Sequence, residues 1–143
     1  MAKPDLEGVR GVTIVFCDSN GIPRSRTVPA ARLDAAVERG VGITSLFPVF
    51  LSNDGISFAH EPLSTASGDI RLLATPERVV PLTGQPQFAW TPGRQFQQDG
   101  SRSPYCSRGV LERQVEAAAT DGLEVRAGFE LEWFIGHAGE ELS

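Results

Sequence analysis

Glu130 and Glu132 stand one residue apart in Gly128-Phe129-Glu130-Leu131-Glu132-Trp133-Phe134-Ile135. Phe129, Leu131, Trp133 and Ile135 take the alternate positions, the period of a strand with one face in a hydrophobic core. In that conformation the two carboxylates share the opposite face, and their Cβ atoms are roughly 7 Å apart. Carboxylates held together in a low dielectric repel. A hard divalent cation removes the repulsion, because Mg²⁺ and Mn²⁺ favour carboxylate oxygen. The spacing also suits a pair of metals, which commonly lie about 3.5–4 Å apart in two-metal sites. Taken alone, Glu-x-Glu reads more simply as a strand with a solvated polar face.

The composition narrows the function classes. The 143 residues are 41% hydrophobic and 22% charged, ordinary for a globular chain able to bury a core, and the formal net charge is −5. There is no basic run, so non-specific nucleic-acid binding is not expected. MAKPDLEGVRG has no apolar stretch of signal-peptide length, and no later run is long enough for a bilayer, so a cytoplasmic protein without membrane partners is expected. Cys17 and Cys106 lie far apart without metal-ligand spacing and read as reduced, buried thiols. His60 and His137 are isolated and read as surface or hydrogen-bonding residues.

The elements that must position the carboxylates read as follows. Residues 11–17 (GVTIVFC) are apolar and β-branched, a strand expected to be buried on both faces. Asn20-Gly21 signals a hairpin turn, and the return strand 22–28 holds Pro23, as an edge strand can. Arg24 and Arg26 share one face of it, read as a solvated edge or as a contact to a neighbouring subunit. Residues 30–39 form a short helix with Leu33, Ala36 and Val37 inward and Gly40 as its cap. An apolar segment, 41–50, is expected to break up into a loop over 51–68, long enough to be either functional or a mobile excursion. Strands follow at 69–74, briefly at 79–80, and at 87–90, the last closed by Thr91-Pro92-Gly93. A helix over 107–120 has Ser107 as N-cap, Leu111, Val115, Ala118 and Ala119 as its stripe, and Asp121-Gly122 as its stop. This pattern of mixed strands and two helices predicts an α+β fold.

In order along the chain, seven pieces resemble the N-terminal part of the glutamine synthetase family. They are residues 18–29 (DSNGIPRSRTVP), 35–43 (AAVERGVGI), 53–55 (NDG), 68–76 (GDIRLLATP), 88–93 (FAWTPG), 106–113 (CSRGVLER) and 128–135 (GFELEWFI). The last resembles the family's Gly-x-Glu-x-Glu strand followed by two aromatic positions.

The resemblance implies a β-grasp-like N-terminal domain over residues 8–102, then the first helix and strand of a glutamine synthetase-type catalytic domain over 103–143. It implies a ligase that phosphorylates the γ-carboxylate of glutamate with ATP and lets ammonia or an amine displace the phosphate. It further implies Mg²⁺ or Mn²⁺ as cofactors and a ring-shaped homo-oligomer with each active site between subunits. By position, Glu130 and Glu132 resemble the first two metal-ligating carboxylates. Asp54 resembles the loop aspartate that binds and deprotonates ammonium, a role suited to a carboxylate.

Two departures shape the expectation. Ammonia-using members tend to carry Asp-Gly-Ser-Ser in the loop, whereas this chain has Asp54-Gly55-Ile56-Ser57, which leaves a larger amine or polyamine open as acceptor. The family's remaining metal ligands, nucleotide site and glutamate-binding arginine would lie beyond Ser143, so the 143 residues alone are expected to be inert. Two alternatives stand beside the ligase: a stand-alone β-grasp interaction module, and an unrelated α+β domain whose Glu-x-Glu strand is a surface strand.

Overall fold

The computed structural model describes residues 6–53, 55–64, 67–133 and 135–136. Strand β1 (Gly11–Cys17) sends Val12, Ile14 and Phe16 into the core. Thr13 and Val15 on its other face are only half-buried and Cys17 is exposed, so one face of β1 is sealed rather than two. Strand β2 (Pro23–Pro29) pairs antiparallel with it, Val28 against Val12 and Arg24 against Phe16, and forms an edge of the sheet as expected. A 3₁₀ turn leads into helix α1 (Leu33–Glu38), which buries Leu33 and Ala36. Gly40 ends it at φ +68°, and any Cβ there would lie 2.6 Å from Leu73 Cδ1. Only glycine fits both constraints.

Four more strands complete the sheet: β3 (Val41–Thr44), β4 (Asp69–Ala74), β5 (Val80–Leu82) and β6 (Gln85–Phe96). The order is β2-β1-β6-β4-β3, with β5 also on β6. The β1–β6 pairing is parallel and all others are antiparallel. A hairpin, a helix and a long strand returning parallel to the first give the expected α+β, β-grasp-like arrangement. Leu33 and Ala36 of α1 join Val12, Ile14, Ile43, Leu72 and Ala89 of the sheet in one hydrophobic core.

The structure corrects the expected end of the strand at Thr91-Pro92-Gly93, because β6 runs on to Phe96. Pro92 sits where one edge of β6 changes partner, from β5 at residues 85–90 to β4 at 93–96. Its carbonyl accepts the Thr75 amide there, so its missing N–H faces the gap between the two ladders and costs no bond. Gly93 then lets Leu72 and Ile14 pack against bare backbone.

Helix α2 (Ser107–Thr120) forms where expected, but Cys106 rather than Ser107 is its N-cap. The buried Cys106 Sγ accepts the Gly109 amide at 3.4 Å, and the Ser107 hydroxyl instead donates to Cys17 O at 3.2 Å. Asp121 and Gly122 close the helix, the glycine at φ +76°. Its predicted apolar stripe is uncovered by the described residues, with Leu111 63% exposed. No helix of the described residues is long and apolar enough to cross a membrane.

Residues 128–133 and 135 depart from the strand expected of them: like 123–127 and 136, they are neither helical nor paired in a sheet. Phe129, Leu131, Trp133 and Ile135 are each at least 76% exposed. A strand is stabilised by the ladder and the side-chain contacts of a neighbour. None of the described residues supplies one.

Candidate functional site

The β1–β2 turn is built on a buried carboxylate. The Asp18 side chain is completely buried, although the residue sits in a turn that its composition marks as solvent-facing. One oxygen, Oδ1, accepts the backbone amides of Asn20 at 2.9 Å and Ile22 at 3.0 Å. The other, Oδ2, receives Arg24 Nε at 3.0 Å and lies 2.9 Å from Arg24 Nη2. Gly21 takes φ +78°, which lets its amide reach Asp18 O at 3.1 Å. Burial opposes ionisation of this carboxyl, but the Ile22 amide, the Arg24 guanidinium and the Asn20 amide outweigh it and hold its pKa below the ordinary value.

The same turn reaches the segment that precedes the 51–68 loop. Arg24 Cζ lies 5.6 Å from the ring centroid of Phe47 and 5.8 Å from that of Phe50, within cation–π range. Phe47 meets Phe16 and Phe50 edge-on, at 5.1 and 5.9 Å between centroids. Asn20 Nδ2 donates to Phe50 O at 2.9 Å.

Beyond Phe50 the chain folds back on itself. Phe50 and Ile56 form an antiparallel bridge, Leu51 N donates to Gly55 O at 2.9 Å, and Ser57 N donates to Val49 O at 3.0 Å. Gly55 N also donates to Asn53 Oδ1 at 3.1 Å, as an Asn turn does. Asp54, the loop aspartate expected from the sequence, lies outside the described residues. Leu51, Ile56 and Phe58 are 44–54% exposed around the tip.

Farther along, Tyr105 shares a hydrogen bond with His60 at 3.1 Å and helps to line a cleft of about 210 Å³ with Ser45, Leu63, Gln97 and Ser103. Among the described residues lining that cleft none is acidic, basic or a histidine.

Glu130 and Glu132 are exposed, and neither has a hydrogen bond or an ion pair among the described residues. The structure does not bring them together with a third ligand: the described residues contain no group of three or more His, Cys, Asp or Glu able to hold a metal.

The comparisons with known proteins bear on this geometry. No protein-family model matches the chain. Gamma-glutamylpolyamine synthetase GlnA3 of Streptomyces coelicolor is 40% identical over 131 residues, which are 91% of this chain and 28% of that protein. Glutamine synthetase of Pyrococcus abyssi is 27% identical over 127 residues, 87% of this chain and 25% of that one. The crystal structure of a novel glutamine synthase homolog matches with a TM-score of 0.66 at 28% identity, over 85% of this chain and 28% of its own. The chain belongs to the glutamine synthetase family. It spans 25–28% of the length of the relatives it matches.

The family's implied divalent metals can be tested against this donor set. Carboxylate oxygens are the right chemistry for Mg²⁺ or Mn²⁺, but such ions need several ligands and near-octahedral geometry. Two exposed carboxylates on one unpaired segment do not make a complete site, so the remaining donors would have to come from other residues.

Sequence reasoning missed two polar clusters of this glutamine synthetase-family fold. One is the Asp18–Arg24 pair, whose only signal was a basic residue six positions after an acidic one across Asn20-Gly21. The other joins β6 to α2. Arg94 Nε lies 2.9 and 3.2 Å from the two Glu112 oxygens, Arg94 Nη2 lies 2.8 Å from one of them, and Arg94 Nη1 donates to Thr75 Oγ1 at 3.4 Å. Arg108 Nε lies 3.3 Å from Glu112 Oε1 as an ion contact without hydrogen-bond geometry. The hydrogen bond from Arg94 holds the Glu112 carboxyl below its usual pKa. Only the pairing of distant elements brings Arg94 and Glu112 together.

Proposed function

We propose that this chain is the N-terminal portion of an ATP-dependent ligase that joins an amine larger than ammonia to the γ-carboxylate of glutamate. The observation that carries the reading is the 40% identity to a gamma-glutamylpolyamine synthetase over 91% of the chain. Ile56 in the Asp54-Gly55-Ile56-Ser57 loop agrees with it, because ammonia-using relatives tend to carry serine there.

In this reading residues 8–102 form the β-grasp domain and residues 103–143 open the catalytic domain. Glu130 and Glu132 contribute carboxylate oxygens to Mg²⁺ or Mn²⁺ once the rest of the catalytic domain completes the ligand set. When bound, such ions neutralise charge on the transferring phosphoryl group of ATP and orient its oxygens. Asp54 attracts the protonated amine and accepts a proton from it, which frees the lone pair for attack. The assembly is a cytoplasmic homo-oligomeric ring in which the loop of one subunit faces the site of the next.

The test is phosphate release by the protein encoded by the reading frame that contains this chain. Glutamate and ATP would be present throughout, with ammonium, 1,4-diaminobutane or a longer polyamine added in turn. Release that depends on the di- or polyamine, with little on ammonium, is the expected result. Release with ammonium alone would move the protein to glutamine synthesis, and release with no amine at all would sink the ligase reading.

A further inference from the structure

We infer that Arg24 and Asn20, held by the buried Asp18, are positioning residues for the loop at 50–57, and that through them the β1–β2 turn sets how tightly the acceptor amine is bound. The second half of this inference rests on the ligase reading above; the first half does not.

Three independent contacts converge on Phe50. Its ring lies within cation–π range of the Arg24 guanidinium and packs at an angle of 63° to Phe47, and its carbonyl accepts the Asn20 side-chain amide. Phe50 is also the residue at which the loop begins, because it bridges to Ile56 and its neighbours close the ladder on either side. Fixing Phe50 therefore fixes the base of a folded-back finger that carries Asn53 and Gly55 toward its tip.

The turn is suited to this task. A two-residue Asn-Gly connection closes a hairpin without a buried charge. Burying the Asp18 carboxylate is costly unless every oxygen is paired. Here two amides and a guanidinium satisfy it, and the result is a guanidinium locked in one orientation. That guanidinium lies within cation–π range of both rings of the aromatic pair ahead of the loop, whereas a solvated edge arginine would be free to swing into water. The arrangement uses the forked donors that distinguish arginine from lysine, with Nε and Nη2 both on one Asp18 oxygen.

Hydrogen exchange and steady-state kinetics of the full-length protein test the two halves separately. The variants are Asn20→Ala, which removes only the carbonyl tie from an exposed side chain, and Arg24→Lys, which keeps the charge but not the fork or the plane. Asn20→Ala is expected to speed exchange at the Leu51 and Ser57 amides, while Ile14 and Leu72 in the core keep wild-type rates. Equal rates at Leu51 and Ser57 in variant and wild type would overturn the positioning role, whatever the protein catalyses. In kinetics, both variants are expected to raise KM for the amine about 3–10-fold, the worth of one hydrogen bond. KM for glutamate and for ATP should stay within about twofold on that scale. An unchanged amine KM, or all three KM values rising together, would overturn the link to the acceptor. Wild-type protein that releases no phosphate with any amine fails the ligase reading and takes the link to the acceptor with it; the exchange result stands apart.

Discussion

Asp18 and Arg24 form an unequal pair: the Asp18 side chain is completely buried, whereas the Arg24 side chain that binds it is 33% exposed. Loss of either partner therefore has different consequences. Without Asp18, the arginine can turn to water. Without Arg24, the carboxylate stays behind with two backbone amides and no cation, and an under-satisfied buried charge is costly.

Arg24→Ala should lower stability by about 1–3 kcal/mol, the range for stranding a buried polar group, and toward the lower end because the arginine is partly screened by solvent. Loss of the guanidinium's cation–π contacts with Phe47 and Phe50 adds to the effect. A shift of the urea midpoint without a change in slope would register it. A midpoint equal to that of wild type would mean that water already satisfies Asp18.

The same pair predicts an acid limb. The Asp18 pKa is depressed in the folded state, so the unfolded chain binds the proton more readily. The stabilisation is therefore fully present above the unfolded value of about 3.9 and is lost as pH falls through the folded one. Wild type should exceed Asp18→Asn in stability by a constant margin from neutral pH down to about 4, and the margin should narrow below that. The depressed pKa values of Asp99 and Glu112 are common to both proteins and cancel in the difference. A margin that stays constant through the acid range would show that the charge on Asp18 is irrelevant.

Gly93 offers a prediction about packing. A Cβ placed there would lie 2.5 Å from Leu72 Cδ1 and 2.8 Å from Ile14 Cγ2, both in the core. Gly93→Ala should thus destabilise by about 1–3 kcal/mol through overpacking, despite alanine's smaller backbone entropy cost. Thermal unfolding of the single variant reads this directly. A gain in stability would mean that Leu72 repacks without strain.

Much of the fold was legible because its signals were local. The β-branched run over 11–17 marked a strand though not which of its faces is sealed, Asn20-Gly21 located the turn, and Gly40 and Gly122 marked helix ends with the positive φ that only glycine adopts cheaply. Pro92-Gly93 misled for the opposite reason. Proline and glycine punctuate loops when judged locally, yet here one fills a gap between two ladders and the other makes room for Leu72. The helix cap was missed because serine outranks cysteine as a cap by propensity, while the buried site behind Gln95 takes the thiol, which also accepts the Gln95 amide at 3.4 Å. Of the candidate site, Glu130 and Glu132 were legible as a spacing. Asp18 and Arg24 were not, since the pair forms only when the turn folds its amides onto the carboxylate, and Arg24 also meets Phe47 and Phe50, far along the chain.

Glu130 and Glu132 lead to the last prediction. Both are exposed on an unpaired segment, with no third carboxylate, histidine or cysteine assembled beside them among the described residues. A divalent ion of the Mg²⁺ or Mn²⁺ type gains affinity from several oxygens held at octahedral positions, and two side chains on one strand-like segment supply too few. Calorimetric titration of residues 1–143 with Mn²⁺ should therefore give no binding in the micromolar range. The protein from the full reading frame should bind Mn²⁺, and the Glu130→Ala/Glu132→Ala double variant should lose that binding while keeping its fold by circular dichroism. Micromolar binding by residues 1–143 that the double variant abolishes would place a complete site within this chain, formed across two copies. Full-length binding untouched by the double variant would remove both glutamates from the metal site.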